Sequence, residues 1–281
     1  MALYVDRSME RRGTLPPRFF DPEALDAPLR RALGMLVVAA ILWAGAFAPL
    51  AAIGEPPPDP ADLTIPRLFV LHGLLVLALG AWYALGYAPR RAGPGAAEVY
   101  GLRAAAPGRE LALGTAVGLA IWMLVLLALL LLAALVSLIG GPDALPEQPP
   151  SVVLWIGGLP LWARVAVALS AGVVEEVFFR GFLQCRVGVA LSTGLFALAH
   201  LGYGQPLLLV GVTLLSLCYA ELARRRGSVW APIAAHAVFD LVQLLVVVPL
   251  VSRALERGVL EQPLAALANA AAVAIGAGAP C

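Results

Sequence analysis

Charged residues are scarce in this sequence, and lysine is absent altogether. Only 13% of the 281 residues are charged, and the basic side chains other than histidine are all arginines. Soluble domains carry about a quarter charged residues, so this composition is atypical of one. The net charge of +1 gives no basic surplus, and we predict no nucleic acid partner.

Cysteine is also rare, and the three residues present are Cys185, Cys218 and Cys281. Their odd number and their spacing predict neither a disulfide framework nor a zinc-knuckle site. The HExxH pattern of many zinc proteases is absent as well. The sequence therefore offers no local metal motif.

Long apolar runs are what the sequence has in abundance, with 61% hydrophobic residues. Several runs reach the roughly 20 residues that cross a bilayer as a helix. We therefore predict an all-α, polytopic transmembrane bundle of about seven to eight spanning helices. The predicted spans are residues 33–53, 68–87, 111–139, 163–186, 188–202, 206–223 and 229–251, with a weak eighth at 263–279. The stretch 151–162 is too short to span and is expected to lie in the membrane interface.

The breaks between the runs suggest four parts. Residues 1–31 form a polar cytoplasmic or interfacial segment, residues 32–150 hold the N-terminal helices, residues 151–252 form a core, and residues 253–281 form an Ala/Gly-rich helix or tail. Arginines cluster in the first segment, in the loop 90–109 and at 224–226, on one side of an alternating path. The positive-inside rule makes that side cytoplasmic. We expect an integral protein of a bacterial inner membrane, with its N-terminus in the cytoplasm.

The stretch VVEEVFFRGF, residues 173–182, places three charges inside an apolar helix. An unpaired charge at the centre of a spanning helix costs about 2.5 to 3.5 kcal/mol, so these side chains should face the bundle interior. Glu176 and Arg180 are four residues apart with the acid first, which favours an ion pair. Glu175 points about 100° away from Glu176. The pattern leaves open a structural ion pair with a spare acid, or a working carboxylate at Glu175.

The three histidines differ in their surroundings. His72 has no acid at helical spacing, so we predict a packed or hydrogen-bonded core residue. Phe196 and His200 are four residues apart on one predicted helix, and His236 and Asp240 are four apart on another. Two histidines on separate helices, beside a spare intramembrane glutamate, predict a convergent polar site.

Three motifs follow one another on separate apolar helices: EEVFFR at 175–180, FALAH at 196–200 and HAVFD at 236–240. Together they resemble the signature of the CPBP intramembrane proteases, which include the type II CAAX prenyl endopeptidases and the bacterial Abi-type proteins. That signature reads EExxxR, then FxxxH, then Hxxx followed by Asn or a similar residue. The resemblance covers residues 173–240 and makes residues 151–252 the predicted catalytic core.

The resemblance implies hydrolysis of a peptide bond by glutamate-activated water. It implies that Glu175 is the general base and that His200 helps to hold the water. It implies that His236 and Asp240 stabilise the oxyanion. This chemistry is sound, because amide hydrolysis needs a base near the attacking water and donors where negative charge develops.

The same resemblance gives supporting roles to the other motif residues. Phe196 would shape the pocket, and Glu176 with Arg180 would brace the helix. No cofactor is required in this scheme.

Asp240 departs from the commonest form of the signature, which has Asn. An ionised Asp cannot donate to an oxyanion, so either burial keeps Asp240 protonated or Asp240 orients and charges His236. Zinc is the alternative, since Glu175, His200, His236 and Asp240 are all plausible ligands. We favour glutamate-activated water, because these groups lie on three separate helices.

The leading functional prediction is an endopeptidase in the lipid bilayer that cuts a membrane-anchored protein or peptide. A zinc-dependent version of the same protease is one alternative. Buried Glu, His and Asp also mark ion pathways, so a proton- or ion-coupled transporter is another, although no internal repeat is evident. A non-catalytic immunity or scaffold protein is the third.

Overall fold

The computed structural model describes residues 28–43, 50, 63–86, 95–145, 150–203 and 205–257. Within these ranges the chain is helical and has no strand, which confirms the predicted all-α class. The N-terminal segment before residue 28 and the weak eighth helix predicted at 263–279 lie outside the described residues.

The order of the main helices follows the predicted apolar runs. They are α1 Pro28–Leu42, α2 Val70–Gly86, α3 Pro107–Gly140, α4 Ser151–Gly157, α5 Leu161–Glu176, α6 Val189–Ala199, α7 Pro206–Arg226, α8 Trp230–Val242 and α9 Val248–Glu256. Two π-helical segments interrupt this order: Val177–Gln184 continues α5, and Gln243–Val247 joins α8 to α9. Single turns lie at Ile65–Leu68, Ala96–Val99, Pro142–Ala144, Cys185–Val187 and Leu201–Tyr203.

Three helical stretches of the described chain are long and apolar enough to cross a membrane: Pro107–Gly140, Pro206–Arg226 and Trp230–Glu256. A fourth exists if α4 and the stretch Leu161–Val187, which are bent by 120° to each other, form one broken span. The apolar helices near α1, α2 and α6 are shorter, at 10–17 residues. The result supports a helical membrane bundle, but the predicted number of seven to eight spans is not confirmed.

Helix α8 lies between α3 and α5, and small residues allow this close approach. A Cβ atom added at Gly118 of α3 would lie 2.7 Å from the Cα atom of Ala235 in α8. On the opposite side, a Cβ atom at Gly172 of α5 would lie 2.9 Å from the Cβ atom of Ala237. Small residues at such contacts are typical of helix packing in membranes. They bring His236, which lies between the two alanines in sequence, into the centre of the bundle.

The segment that leads into α3 and the C-terminus of α7 lie at the same end of the bundle. The guanidinium of Arg226 forms two short contacts with the Glu110 carboxylate, at 2.8 and 2.5 Å. The indole N–H of Trp230 donates to the carbonyl oxygen of Leu102 at 2.7 Å. Two arginine-bearing segments therefore share one end, as their charge pattern predicted, and the assignment of that end to the cytoplasm stays a prediction.

Candidate active site

The two adjacent glutamates lie at the end of α5, where the helix widens. Glu175 is 7% exposed and Glu176 is fully buried, although an apolar interior disfavours both charges. The buried π-helical segment Val177–Gln184 begins directly after them, and π-helical turns are frequent at functional sites. Glu175 lies about 20 Å along the helix from Leu161 at 1.5 Å per residue. Its carboxylate is therefore near the middle of the helical stretch Leu161–Val187.

Glu176 is neutralised within a buried network. Its Oε1 atom lies 3.0 Å from Nη1 of Arg180 and 2.8 Å from Nδ1 of His236. The Nη2 group of Arg180 donates to the hydroxyl oxygen of Ser216 at 3.0 Å. The guanidinium carbon is 4.4 Å from the centre of the Phe196 ring, within the range of a cation–π contact. The ion pair predicted from the i, i+4 spacing of Glu176 and Arg180 is present.

Glu175 has different partners. Its Oε1 atom is 3.2 Å from Nε2 of His72, and its Oε2 atom is buried without a hydrogen-bond partner in the described part of the chain. The charge of Glu175 also interacts with the imidazoles of His200 and His236. The neighbouring glutamates therefore face different groups, as the 100° rotation between them predicts.

His72 belongs to this site, which the sequence reasoning missed. His72 is 8% exposed, and its Nδ1 atom lies 3.0 Å from the hydroxyl oxygen of Ser170. The prediction of a hydrogen-bonded core residue is confirmed, but treating His72 apart from the other two histidines was wrong. Its partner Glu175 is 103 positions away, so spacing along one helix could not reveal the contact. The available signal was its position in an apolar span, where polar residues face the bundle interior.

His200 lies at the C-terminal end of the short helix α6. Its Nδ1–H group donates to the carbonyl oxygen of Phe196 at 2.8 Å, so Nε2 is the acceptor atom when the ring is neutral. The ring centre of Phe196 is 4.5 Å from that of His200 and 6.2 Å from that of His236. Phe196 therefore lies against both histidines.

His236 lies between two carboxylates. Its Nδ1 atom faces Glu176, and its Nε2 atom is 3.5 Å from Oδ2 of Asp240. The Tyr219 ring stacks on the imidazole with centres 5.1 Å apart. The Asp240 contact is too long for a strong hydrogen bond but is within ion-pair range. A doubly protonated ring has an N–H group for each of the two contacts.

The zinc alternative gains no support from this arrangement. Among the side chains that the structure describes, no three His, Cys, Asp or Glu residues are placed to hold a metal ion. Both ring nitrogens of His236 already face carboxylates. The Nδ1 atom of His200 is engaged with a backbone carbonyl. A tetrahedral zinc site needs several donors converging on one point, and the described side chains do not include such a group.

A small apolar pocket lies near the N-terminal helices. It lies among α1, α2, the π-helical segment and α6, and its lining includes Leu71, Phe178, Phe179 and Ala199. Leu71 precedes His72 in the sequence, and Ala199 precedes His200.

Comparisons with known proteins agree with the motifs. Residues 157–242 match the family model described as type II CAAX prenyl endopeptidase Rce1-like, so the predicted relationship to the CPBP proteases is confirmed for that segment, which contains α5 to α8. A curated relative, the uncharacterized protein YpbD of Bacillus subtilis (strain 168), is 30% identical over 79 residues. The alignment covers 28% of this chain and 42% of that protein. No solved structure matches the chain.

Proposed function

We propose that this chain is an intramembrane endopeptidase. The premise is that residues 157–242 match the type II CAAX prenyl endopeptidase Rce1-like family. The substrate would be a membrane-tethered protein or peptide, and Glu175 would activate the attacking water. The unequal use of two buried glutamates carries the proposal. Arg180 and His236 both contact Oε1 of Glu176, whereas the hydrogen bond that Glu175 receives among the described residues comes from His72. The Oε2 atom of each glutamate has no hydrogen-bond partner in that part of the chain.

Glu175 and His200 share the task of holding the water. Oε2 of Glu175 accepts one proton of the water, and Nε2 of the neutral His200 ring accepts a hydrogen bond from the other. The water oxygen attacks the scissile carbonyl carbon as its proton moves to Glu175. A base within hydrogen-bond reach of the proton it removes is the first requirement of general base catalysis.

His236 and Asp240 stabilise the negative charge that develops on the carbonyl oxygen. The N–H group at Nε2 of His236 makes only a 3.5 Å contact with Asp240, so it can donate to an oxyanion instead. Asp240 then acts as a counter-charge that keeps the ring protonated. A fixed donor in a water-poor site is worth more than the same donor in water. Collapse of the intermediate breaks the C–N bond, and Glu175 returns its proton to the leaving amine.

The surroundings of the site favour an apolar substrate segment. The apolar residues Leu71, Phe178 and Ala199 lie on the same helical segments as the site, and the small pocket that they line would have to widen to take a substrate side chain. Glu175 lies near the middle of its helical stretch. This position is consistent with cleavage of a substrate peptide bond that lies within the bilayer or close to its surface. We place the protein in a bacterial inner membrane with a cytoplasmic N-terminus, on the basis of the arginine distribution.

Peptide cleavage by the purified full-length chain in lipid nanodiscs tests the proposal. The probes are internally quenched peptides of two kinds, one ending in farnesyl-cysteine and three further residues, the other an unmodified apolar transmembrane segment. Glu175→Gln should lower the cleavage rate by about a thousandfold, within the usual range for loss of a general base. The matched control is Glu98→Gln, which alters a glutamate that pairs with the exposed Arg103. Equal cleavage by wild type and Glu175→Gln would contradict the proposed role.

A further inference from the structure

We infer that His72 and Ser170 form a positioning pair that holds Oε1 of Glu175 and thereby directs Oε2 at the reacting water. The inference rests on the proposed function and deepens it, because neither residue lies in the three motifs. His72 also lies outside the segment 157–242 that matches the family model. The pair therefore links helix α2, from the N-terminal part of the chain, to the core that carries the motifs.

The contacts form a continuous chain between two helices. The hydroxyl of Ser170 in α5 is 3.0 Å from Nδ1 of His72 in α2 and 3.0 Å from the carbonyl oxygen of Val167. The other ring nitrogen of His72 is 3.2 Å from Oε1 of Glu175. The Phe69 ring packs against the imidazole in a T-shaped contact, with 6.2 Å between the ring centres. The imidazole is thus held at both nitrogens and by the Phe69 ring.

The chemistry of the partners sets the direction of each hydrogen bond. An ionised carboxylate only accepts, so Nε2 of His72 must carry the proton that reaches Glu175. In the neutral ring Nδ1 is then an acceptor. The single proton of the Ser170 hydroxyl can serve either Nδ1 or the carbonyl oxygen of Val167, each 3.0 Å away. We assign it to Nδ1, because the Val167 carbonyl already accepts a backbone hydrogen bond within α5. Ser170 therefore selects the tautomer of His72 that donates to Glu175, as the partner of one ring nitrogen usually does.

The hydrogen bond from His72 orients Glu175 and not Glu176. Glu176 next to it already has Arg180 and His236, whereas His72 supplies the hydrogen bond that Glu175 receives in the described part of the chain. Without that bond the carboxylate can rotate, and Oε2 leaves its position toward the water. Misplacement of a reacting group by about 1 Å lowers the rate roughly a hundredfold.

Two substitutions of similar polarity separate positioning from packing. The side-chain amide nitrogen of His72→Gln can reach the place of Nε2 and donate to Glu175, whereas that of His72→Asn reaches only the place of Nδ1. We expect His72→Gln to keep kcat within about tenfold of wild type and His72→Asn to lose roughly a hundredfold, with KM little changed in both. The probe is whichever quenched peptide the wild-type protein cleaves. Equal kcat values for the two variants, or a change confined to KM, would overturn the inference.

Ser170→Ala tests the other end of the chain. Removing an outer partner of an oriented histidine typically costs about 10- to 100-fold, and we expect a fall in kcat of about tenfold. Ser170 lies in a Ser–His–Glu sequence of contacts, so a nucleophilic serine is the competing explanation. Covalent labelling of Ser170 by a fluorophosphonate, absent in Ser170→Ala, would overturn the positioning role.

A spectroscopic test needs no substrate. The chain has only three histidines, so 15N spectra of the full-length protein in lipid bilayers are simple, and His72→Gln assigns the His72 signals. We expect a protonated Nε2 whose signal shifts in Glu175→Gln, and an altered tautomer signal in Ser170→Ala. Signals that do not respond to either change would contradict the pair.

If Glu175→Gln abolishes hydrolysis while His72→Asn does not, the inference fails alone. If these spectral responses are seen but Glu175→Gln still cleaves, the proposed function fails alone.

Discussion

Removal of the Arg180 guanidinium should destabilise the folded protein strongly. The Arg180 side chain is 1% exposed and that of Glu176 is fully buried, with 3.0 Å between the charged atoms. Arg180→Met keeps most of the side-chain volume but leaves the Glu176 carboxylate without its cation. Breaking a buried ion pair by removing one partner costs about 3–5 kcal/mol. At about 2–4 °C per kcal/mol for a chain of this size, the Tm should fall by roughly 10 °C.

A double-mutant cycle separates the ion pair from the rest of the Arg180 contacts. Thermal unfolding in detergent, followed by tryptophan fluorescence, would compare wild type, Glu176→Gln, Arg180→Met and the double variant. The double variant should recover part of the loss, because it leaves no uncompensated charge. Arg103→Met is the control, since that arginine is 70% exposed and its ion pair should contribute at most about 1 kcal/mol. An unchanged Tm in Arg180→Met, or a double variant less stable than both single ones, would refute the reasoning.

Three further predictions concern packing and chemistry. Gly118→Val should lower the Tm, since its Cβ would lie 2.7 Å from the Cα atom of Ala235 and overpacking costs about 1–3 kcal/mol; Gly80→Ala, which meets no atom within 4 Å, should not. Exhaustive chelation should leave peptide cleavage intact, and a loss that added zinc restores would favour the metal-dependent alternative. Proton flux into reconstituted vesicles should be equal for wild type and Glu175→Gln, and a flux that the substitution removes would favour a transporter.

Local spacing in the sequence predicted the contacts that lie within one helix. Glu176 and Arg180 are close because residues four apart share a helix face, and the structure has them 3.0 Å apart. The same rule predicted the contact of Phe196 with His200 and that of His236 with Asp240. The all-α class followed from the apolar runs, because a lipid environment requires every backbone group to be paired within the chain.

Contacts between different helices could not be predicted from spacing along the sequence. The hydrogen bond from His72 to Glu175 joins α2 to α5, and no pattern along either helix encodes it. The π-helical segment Val177–Gln184 and the 120° bend before α5 depend on packing against the rest of the bundle. Helix propensity, which is a local property, does not predict such features.

Cleavage in living cells tests most directly whether Glu175 makes this chain a protease. Cells lacking the native protein would express wild type or Glu175→Gln at equal membrane abundance, and the C-terminal peptides of all membrane proteins would be quantified. At least one membrane-tethered protein should keep an uncut C-terminus with Glu175→Gln and be processed with wild type. Identical processing in the two strains, for a protein that the deletion strain leaves uncut, would contradict the claim.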